Sequence, residues 1–372
     1  MLASIRDGWI GLRNRLAADP RFQSFAARFP LTRPFARREA AGLFDLVSGF
    51  VYTQILLSVV ELGLLEQLQR EPMDLAAIAE RNGLPSEAAD ILLKAATTLG
   101  LTQKLSNNRY APGLKGASLL GNASVMDLVR HHKLLYRDLA EPLSLLKNPS
   151  QPTELSQFWA YARNEAPDTL SDGIVSPYSA LMATTQALVA DEILDSYDVA
   201  KHRTLLDMGG GHGAFATAAA QRAPALSIRL FDLPAVAAEA AKRFAAKGLS
   251  GRATTFGGSF LDDDPPAGAD LITLVRVLYD HPDEAARIIL GRARQALAPG
   301  GTLLIGEPVA ELPGAERMGH PYFGLYLLAM KGGRIRTTTE LALLCREAGF
   351  KTASPLKTAR PLMTGIVIAR SE

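Results

Sequence analysis

Cysteine is almost absent from this sequence of 372 residues, in which Cys345 is the only thiol. A single cysteine excludes a disulfide within the chain and a metal cluster bound by several thiolates. We therefore expect a reducing compartment and no metal site. A dominant charge is also absent, because 40 basic residues balance 38 acidic ones. This balance gives no support to a nucleic-acid-binding protein.

Long apolar runs are also missing. None reaches the roughly 20 residues that a membrane-spanning helix needs, because the best candidate, Phe50–Leu65, contains Gln54 and Glu61. The N-terminus lacks the short apolar core and the small-residue cleavage site of a secretory signal. The sequence therefore predicts a cytoplasmic protein. Its length and its 48% hydrophobic content suit two domains with well-filled cores.

Charge is uneven only in residues 1–41, which we interpret as a basic amphipathic arm. Eight arginines face two aspartates within residues 1–38, and aromatic and aliphatic side chains lie between them. Two interpretations fit this pattern. The arm could lie on the anionic surface of the inner membrane as a peripheral contact. Alternatively, it could be a solvated segment whose apolar side packs on its own protein or on a dimer partner.

Residues 42–115 are predicted to form a small winged-helix-like domain. Apolar residues recur at helical spacing from Leu43 to Leu65, and two short helices and a small hairpin near residues 102–112 follow. Lys94 is the sole positive charge of the second short helix, which is poor equipment for contacts with DNA. We therefore predict a protein–protein role and no binding of nucleic acid.

Residues 116–200 stay helical and are predicted to connect the domains and to cover the substrate. His131 and His132 lie in this segment. Adjacent residues on a helix point about 100° apart, so these histidines cannot share a metal. We interpret them as ordinary surface or core histidines, one of which could line a pocket.

Residues 201–372 alternate strictly between strands and helices. Strands are predicted at 204–208, 227–232, 252–257, 269–275 and 301–307, with helices near 213–223, 234–247 and 282–297. This alternation predicts a parallel sheet covered on both faces. Two apolar segments, 351–358 and 363–369, are too close in sequence for a crossover helix and should pair antiparallel. The fold class is thus α/β, with the seven-stranded Rossmann-like sheet typical of methyltransferases.

A glycine-rich turn, Asp207–Gly213, follows the first of these strands. Gly209, Gly211 and Gly213 allow main-chain N–H groups and the next helix N-terminus to face a polar ligand. Asp232, at the end of the second strand, can accept hydrogen bonds from ribose hydroxyls. A dinucleotide would fit this pattern too. Asp207 favours S-adenosylmethionine, because a carboxylate attracts its cationic methionyl group and repels a pyrophosphate.

Further motifs resemble one enzyme family in order and spacing. They are Phe231–Pro234, Arg276–Asp280, Leu297–Gly301, Gly306–Pro308 and Gly333–Thr337. With the glycine turn, they make residues 42–370 similar to S-adenosylmethionine-dependent O-methyltransferases of the caffeic acid and acetylserotonin type. The arginine-rich opening and residues 29–50 resemble, more narrowly, the demethylspheroidene O-methyltransferases of purple phototrophic bacteria.

The resemblance implies a function and a set of partners. It implies a homodimer formed by the N-terminal helical domain, with S-adenosyl-L-methionine as the cofactor. The implied reaction methylates the tertiary hydroxyl of an acyclic carotenoid, in the carotenoid biosynthesis of phototrophs. The residues implied to bind the cofactor are Asp207, Gly209, Gly211, Gly213, Asp232, Leu233, Ser259, Phe260 and Arg276.

The sequence departs from the family at three positions. Tyr279 stands where the family has its general-base histidine, and Ile335 replaces one of two glutamates that steady that histidine. Gly258 replaces an acidic residue that hydrogen-bonds the cofactor near its adenosine. Glu307 and Asp280 are retained.

These departures leave the proton acceptor open. A tertiary alcohol is a very weak acid, so a base within hydrogen-bond reach should accept its proton as the C–O bond forms. Glu307 is our first candidate and His281 the second, with Asp280 a third, while Tyr279 could orient the hydroxyl. The aliphatic residues of Leu325–Met330 favour a long, apolar acceptor, although they would also suit a helix core.

Three other functions fit parts of the sequence. The protein could methylate an aromatic or polyketide hydroxyl. It could be a non-catalytic, dimeric S-adenosylmethionine-binding protein, because the family's base is replaced. An NAD-dependent dehydrogenase is the third, since the glycine turn also fits a dinucleotide.

Overall fold

The computed structural model describes residues 2–160, 186, 188–358 and 364–372. Contacts divide the chain into two compact units, Met1–Asn122 and Ala123–Glu372. The finer division into four segments stays a prediction. The elements of the first unit are α1 (Leu2–Ala18), α2 (Pro20–Arg28), α3 (Arg33–Glu61), α4 (Leu64–Arg70), α5 (Leu75–Arg81), α6 (Ser86–Thr98), β1 (Thr102–Lys104), β2 (Tyr110–Pro112) and α7 (Leu114–Leu120).

The first unit has the winged-helix-like arrangement that the sequence predicts. Strands β1 and β2 pair antiparallel, with Gln103 opposite Ala111. Apolar side chains of α3 to α6 and of the hairpin form a single core. Its buried members include Val59, Leu64, Leu65, Leu68, Ile78, Leu93, Leu101 and Tyr110.

Helix α3 differs from expectation in two ways. It runs continuously through the predicted boundary at residue 41, and its apolar residues Leu43, Phe44, Leu46, Val47 and Phe50 are exposed. By length and composition alone, α3 could also cross a membrane, with a mean hydropathy of 1.7 over its best window. Our expectation of no such segment was therefore wrong. Gln54 and Glu61 interrupt the apolar run only weakly, since Gln54 carries no charge and Glu61 is the last residue of the helix.

The second unit begins with helices and continues as an α/β domain. Its described elements are α8 (Ala123–Asp138), α9 (Pro142–Lys147), α10 (Glu154–Ala160), helical residues 188–196, a 3₁₀ turn (Val199–Lys201), β3 (Thr204–Met208), α11 (Ala214–Arg222), β4 (Ser227–Asp232), α12 (Pro234–Ala246), β5 (Ala253–Gly257), β6 (Ala269–Val275), a 3₁₀ turn (Leu278–Asp280), α13 (Asp283–Ala296), β7 (Leu297–Glu307), β8 (Val309–Ala310), a π-helical turn (Met318–Phe323), α14 (Gly324–Met330), β9 (Arg336–Thr337), α15 (Thr338–Glu347), β10 (Thr352–Leu356) and β11 (Gly365–Arg370).

Seven strands form the central sheet in the order β10-β11-β7-β6-β3-β4-β5. Strands β3 to β7 are parallel, and β11 pairs antiparallel with both β7 and β10. The predicted seven-stranded fold is confirmed. Strand β7 begins at Leu297 rather than 301, because Leu297 already pairs with Ala269. Residue 363 of the last predicted segment lies outside the described residues.

The topology of the sheet indicates where a ligand binds. The central strands β3 and β6 are almost wholly buried, as expected for parallel strands covered by helices on both faces. From β3 the chain proceeds to β4 and β5 on one side, and from β6 to β7 on the other. In open α/β sheets, ligands bind beyond the carboxyl ends of the strands at such a switch point. Asp207 and Val277 lie at these ends.

Candidate active site

The glycine turn joins β3 to α11 at the switch point. Gly209 and Gly213 are tightly enclosed, because a Cβ there would come within 2.8 Å of Val277 and of Phe244, respectively. Gly211 has a φ of 56° and open space where a Cβ would stand. The turn is thus packed on both sides and open at its centre, where backbone N–H groups can meet a ligand.

Asp207 lies beneath this turn and is 1% exposed. Its Oδ1 accepts a hydrogen bond of 2.7 Å from Thr273 Oγ1 on β6, the strand beside it. Burial raises the pKa of Asp207 to about 7, against the hydrogen bond from Thr273. Oδ2 is buried and accepts no hydrogen bond of normal geometry from the described residues, although the N–H of Ala216 lowers the pKa. A buried carboxylate oxygen without a full partner fits a cationic ligand group.

Asp232 ends β4 beside the open part of the turn. Its Oδ2 accepts a hydrogen bond from the N–H of Gly211 at 2.8 Å, and its Oδ1 accepts one from the N–H of Leu233 at 2.7 Å. Burial raises the pKa of Asp232, and these N–H donors oppose the rise. Leu233 is 38% exposed beside it. The carboxylate is held in place, with lone pairs left for ribose hydroxyls.

The loop after β5 covers the turn from the other side. The ring of Phe260 comes within 3.3 Å of the place where a Cβ on Gly209 would stand. The hydroxyl of Ser259 lies 2.9 Å from a carboxylate oxygen of Asp262, and its N–H donates to Asp263. A Cβ on Gly258 would come within 2.7 Å of the ring of Phe231. Glycine is therefore the residue that this packing accepts where the family has an acidic one.

The turn after β6 carries the predicted catalytic residues Tyr279, Asp280 and His281, and the Glu307 side chain accepts hydrogen bonds from its backbone. Glu307 Oε1 accepts hydrogen bonds from the N–H groups of Val277 at 2.9 Å and Leu278 at 2.8 Å. Oε2 accepts a longer one, 3.4 Å, from Tyr279. Burial raises the pKa of Glu307 to about 8, although these N–H groups lower it. Both oxygens of Glu307 thus accept hydrogen bonds from the backbone of the turn. The role of Glu307 as proton acceptor stays a prediction.

Arg336 holds the same turn from its carbonyl side. Its guanidinium donates to the carbonyls of Leu278 at 2.8 Å and His281 at 2.9 Å, and it pairs with Asp283 at 2.7 Å. The side chain is 2% exposed. Glu307, which accepts hydrogen bonds from N–H groups of the turn, and Arg336, which donates to its carbonyls, thus fix the turn together. Sequence reasoning noted the motif containing Arg336 but missed this contact.

Gly333 allows that motif to approach the turn. Its φ is 76°, and a Cβ would overlap the carbonyl oxygen of Tyr279. The next residue, Arg334, donates its N–H to this carbonyl at 2.9 Å. The segment after α14 is therefore in direct contact with the backbone at Tyr279.

Tyr279 itself is 4% exposed and cannot act as an ordinary base. Burial raises its pKa far above the usual range, and the negative charge of Asp280 adds to the rise. The phenol therefore stays protonated at neutral pH. Its hydroxyl lies 3.5 Å from Arg276 Nη2, a weak contact. Arg276 has a φ of 58°, an uncommon conformation for a residue with a side chain.

The other two acceptor candidates follow Tyr279. Asp280 is half-buried and raises the pKa of both Tyr279 and Glu307. The His281 ring packs edge-on against Phe260, with 5.5 Å between ring centroids. The structure thus places His281 near the glycine turn and Asp280 near Glu307. Neither position tests a role in proton transfer.

Aromatic side chains from distant parts of the chain pack next to Tyr279. Tyr279 meets Phe323 edge-on at 6.4 Å, and Phe323 meets Tyr322 at 4.9 Å. Tyr322 is hydrogen-bonded to His132 of α8, and Tyr326 is hydrogen-bonded to the adjacent His131. Nothing in the local sequence signals these contacts, because about 190 residues separate the partners. Among the described residues, no cluster of three His, Cys, Asp or Glu could hold a metal.

Comparison with known families identifies the family of this chain. A family model of the O-methyltransferase domain matches residues 155–351. The chain belongs to the S-adenosylmethionine-dependent O-methyltransferase family. A second model, the O-methyltransferase dimerisation domain, matches residues 44–113 and supports a homodimer. The exposed apolar residues of α3 from Phe44 onward lie inside this match.

Individual relatives confirm the resemblance inferred from the motifs. The chain is 39% identical to demethylspheroidene O-methyltransferase of Cereibacter sphaeroides over 365 residues, 97% of this chain and 96% of that protein. It is 30% identical to acetylserotonin O-methyltransferase of Mus musculus, over 87% of this chain and 86% of that protein. The solved structure of the S-adenosylmethionine-dependent methyltransferase SibL matches with a TM-score of 0.76 and 26% identity, over 88% of this chain and 98% of that chain.

Proposed function

We propose that this protein methylates the tertiary hydroxyl of an acyclic hydroxycarotenoid, with S-adenosylmethionine as the methyl donor. The observation that carries the proposal is the 39% identity, over nearly the full length, with a demethylspheroidene O-methyltransferase. The aromatic and apolar surroundings of Tyr279 agree with a long hydrocarbon acceptor.

The residues around the glycine turn would hold the donor. Asp207 offers a buried carboxylate oxygen to the cationic methionyl group, and Asp232 offers its carboxylate to the ribose. Gly211 leaves room for the backbone to approach the ligand. When bound, the donor supplies a methyl group on a positively charged sulfur. The buried side chains around the site exclude water, which strengthens every electrostatic contact inside it.

A panel of acceptors tests the proposal directly. Purified protein is incubated with methyl-labelled S-adenosylmethionine and detergent-dispersed acceptors: an acyclic tertiary-alcohol carotenoid, a simple phenol and a polyketide phenol. We expect labelled ether only from the carotenoid. Transfer to the phenols alone would favour an aromatic acceptor, and donor binding without transfer would indicate a binding protein. Binding of NAD instead of the donor would indicate a dehydrogenase.

We further propose that the exposed apolar face of α3 forms the homodimer interface. Leu46, which is 76% exposed, lies in the region matched by the dimerisation domain, whereas Leu31, 84% exposed, lies outside it. Leu46→Glu should therefore weaken the dimer, and the matched variant Leu31→Glu should not. Light scattering at micromolar concentration measures both. A stable wild-type monomer would contradict the interface, and a monomeric Leu31→Glu would show that the arm packs on the partner.

We also propose that helices α1 and α2 bring the cytoplasmic enzyme to the inner membrane, where an apolar acceptor dissolves. Five of the eight arginines of residues 1–38 lie in α1 and α2, and all five are exposed, as are Trp9 and Phe25. Each basic residue near an anionic surface contributes about 1 kcal/mol. Deletion of residues 1–32, which leaves α3 whole, should reduce sedimentation with anionic vesicles. Equal sedimentation of the wild-type protein and the deletion variant would contradict membrane binding and would indicate that the arm only packs against protein.

A further inference from the structure

Two histidine–tyrosine pairs lie side by side in the second unit. His131 Nε2 is 2.8 Å from Tyr326 Oη, and His132 Nε2 is 2.7 Å from Tyr322 Oη. The histidines are consecutive on α8, and the tyrosines are one helical turn apart. The two hydrogen bonds therefore join the same two chain segments. The sequence predicts ordinary surface or core histidines here, one of which could line a pocket.

The inner pair, His131 and Tyr326, is enclosed by the fold. The two residues are 8% and 5% exposed. The His131 ring packs against Phe158, with 4.8 Å between centroids. This pair has the surroundings of a satisfied core hydrogen bond, and we assign it a structural role.

The outer pair, His132 and Tyr322, is half-buried and adjoins the catalytic turn. The Tyr322 ring contacts Phe323, which contacts Tyr279. The charge of Arg276, whose guanidinium is next to the Tyr279 hydroxyl, also acts on Tyr322. Tyr322 thus lies close to Tyr279, which stands where the family has its base, and its partner His132 is partly exposed to solvent.

We propose that Tyr322 and His132 together accept the proton of the methylated hydroxyl. This inference rests on the proposed methyl transfer. It also draws on the position of Glu307, whose two oxygens already accept hydrogen bonds from the backbone.

The step balances in atoms and charge. As the acceptor oxygen bonds to the methyl carbon, its O–H bond breaks and the proton moves to Tyr322 Oη. Tyr322 gives its own hydroxyl proton to His132 Nε2 and so ends as a neutral phenol. The electron pair of the broken methyl–sulfur bond stays on sulfur. One positive charge is present before the step on sulfur and after it on the His132 imidazolium.

The protonation states of the pair suit this relay. Burial lowers the pKa of His132 to about 4, so its imidazole is neutral and able to accept a proton at physiological pH. Burial raises the pKa of Tyr322, although Arg276 opposes this, so the phenol keeps a proton to give. Among the described residues, the other titratable groups that face the pair are His131, Tyr136, Tyr326 and Arg276. After the step, the low pKa of His132 favours release of the proton to solvent.

Nitrogen NMR of the histidine side chains in the unliganded protein tests the first requirement without any turnover. The relay needs a neutral His132 whose Nε2 carries no proton and accepts the hydrogen bond from Tyr322. Tyr322→Phe should then shift the Nε2 resonance of His132 and leave that of His131 nearly unchanged. A proton on Nε2 in the wild-type protein would overturn the proposal, because no site would remain for the incoming proton.

Matched variants test the second requirement. Tyr322→Phe and His132→Gln should each reduce turnover by about 10²–10⁴-fold, the usual effect of losing a general base. Their affinity for S-adenosylmethionine, measured by calorimetry, should stay within about threefold of wild type, a difference of under 1 kcal/mol. Tyr326→Phe removes the same hydroxyl from the inner pair and should lower the melting temperature while keeping most of the turnover.

The outcomes separate the relay from the function on which it rests. Wild-type turnover in a folded Tyr322→Phe variant, or an equal loss in Tyr326→Phe, would overturn the relay and leave the proposed methylation intact. Absence of methyl transfer by the wild-type protein to any acceptor would overturn both.

Discussion

The proposed donor half of the site comes from a short stretch of chain, whereas the proposed acceptor half draws on residues far apart in sequence. The donor half consists of the glycine turn, Asp207, Asp232 and Leu233, all at the ends of β3 and β4. The acceptor half consists of Tyr279 and its turn, held by Glu307 and Arg336, with Tyr322 and His132 beside it. Local backbone geometry builds the first, and tertiary contacts build the second.

This difference agrees with two of the three departures from the family, Tyr279 and Ile335, which lie on the acceptor side, whereas the third, Gly258, lies on the donor side. A glycine turn with two carboxylates must fit one unchanging donor, so few substitutions leave its geometry intact. The acceptor half must fit a particular substrate, and its proton acceptor can come from any element that reaches the site. Tyr279 in place of histidine is then compatible with an active enzyme. On the acceptor side, the backbone of the turn is held in place by hydrogen bonds to Glu307 and Arg336.

The largest effect is expected at Glu307, the residue that holds the acceptor turn. Glu307→Gln places an amide against N–H donors and should reduce turnover by about 10²–10⁴-fold with nearly unchanged donor affinity. Steady-state kinetics and calorimetry measure the two quantities. If Glu307 only positions the turn, Arg336→Gln should likewise lower kcat and leave the affinity for the donor nearly unchanged. If Glu307 is the acceptor, its replacement should instead abolish a limb of the pH–rate profile near pH 8.

A smaller effect, confined to binding, is expected at Asp207. Asp207→Asn and Asp232→Ala should each weaken donor binding by about 1–3 kcal/mol, or roughly 5–150-fold. Because burial raises the pKa of Asp207 to about 7, the carboxylate is protonated below that pH and ionised above it. Wild-type affinity should therefore increase from pH 6 to pH 8, and this increase should be smaller in Asp207→Asn.

The Asp207→Asn variant also serves as the control, since the donor's own amino group titrates near pH 8. Calorimetry of both proteins over the same pH series cancels that contribution. Identical pH dependence in the two proteins, or unchanged affinity in both aspartate variants, would contradict the assignment of the donor half.

The smallest effect is expected at Tyr279. Among the described residues, its hydroxyl makes one weak contact, 3.5 Å from Arg276, and its raised pKa keeps it from acting as a base. Tyr279→Phe should therefore change turnover by less than about tenfold, or 1.4 kcal/mol. A loss as large as that expected for Tyr322→Phe would move the proton acceptor back to the position where the family has it.

The sequence alone predicted the fold and pointed to the glycine turn because both depend on local patterns. Alternating apolar strands and helices determine the sheet, and Asp207 to Gly213 is a contiguous motif. The acceptor half was not accessible in the same way. Arg336 meets carbonyls of a turn more than fifty residues earlier, and His132 meets Tyr322 from a distant helix. Such contacts depend on packing, and no short spacing in the sequence encodes them. The exposed apolar length of α3 was also underestimated.

Two isotopes in one product test the central claim most directly. The claim is that the acceptor's own hydroxyl oxygen takes the donor's methyl group. An acyclic tertiary-alcohol carotenoid labelled with ¹⁸O is incubated with the wild-type protein and methyl-labelled S-adenosylmethionine, and the product is analysed by mass spectrometry. We expect a carotenoid methyl ether that contains both labels. A carotenoid recovered without the methyl label, or an ether that has lost its ¹⁸O, would contradict the account.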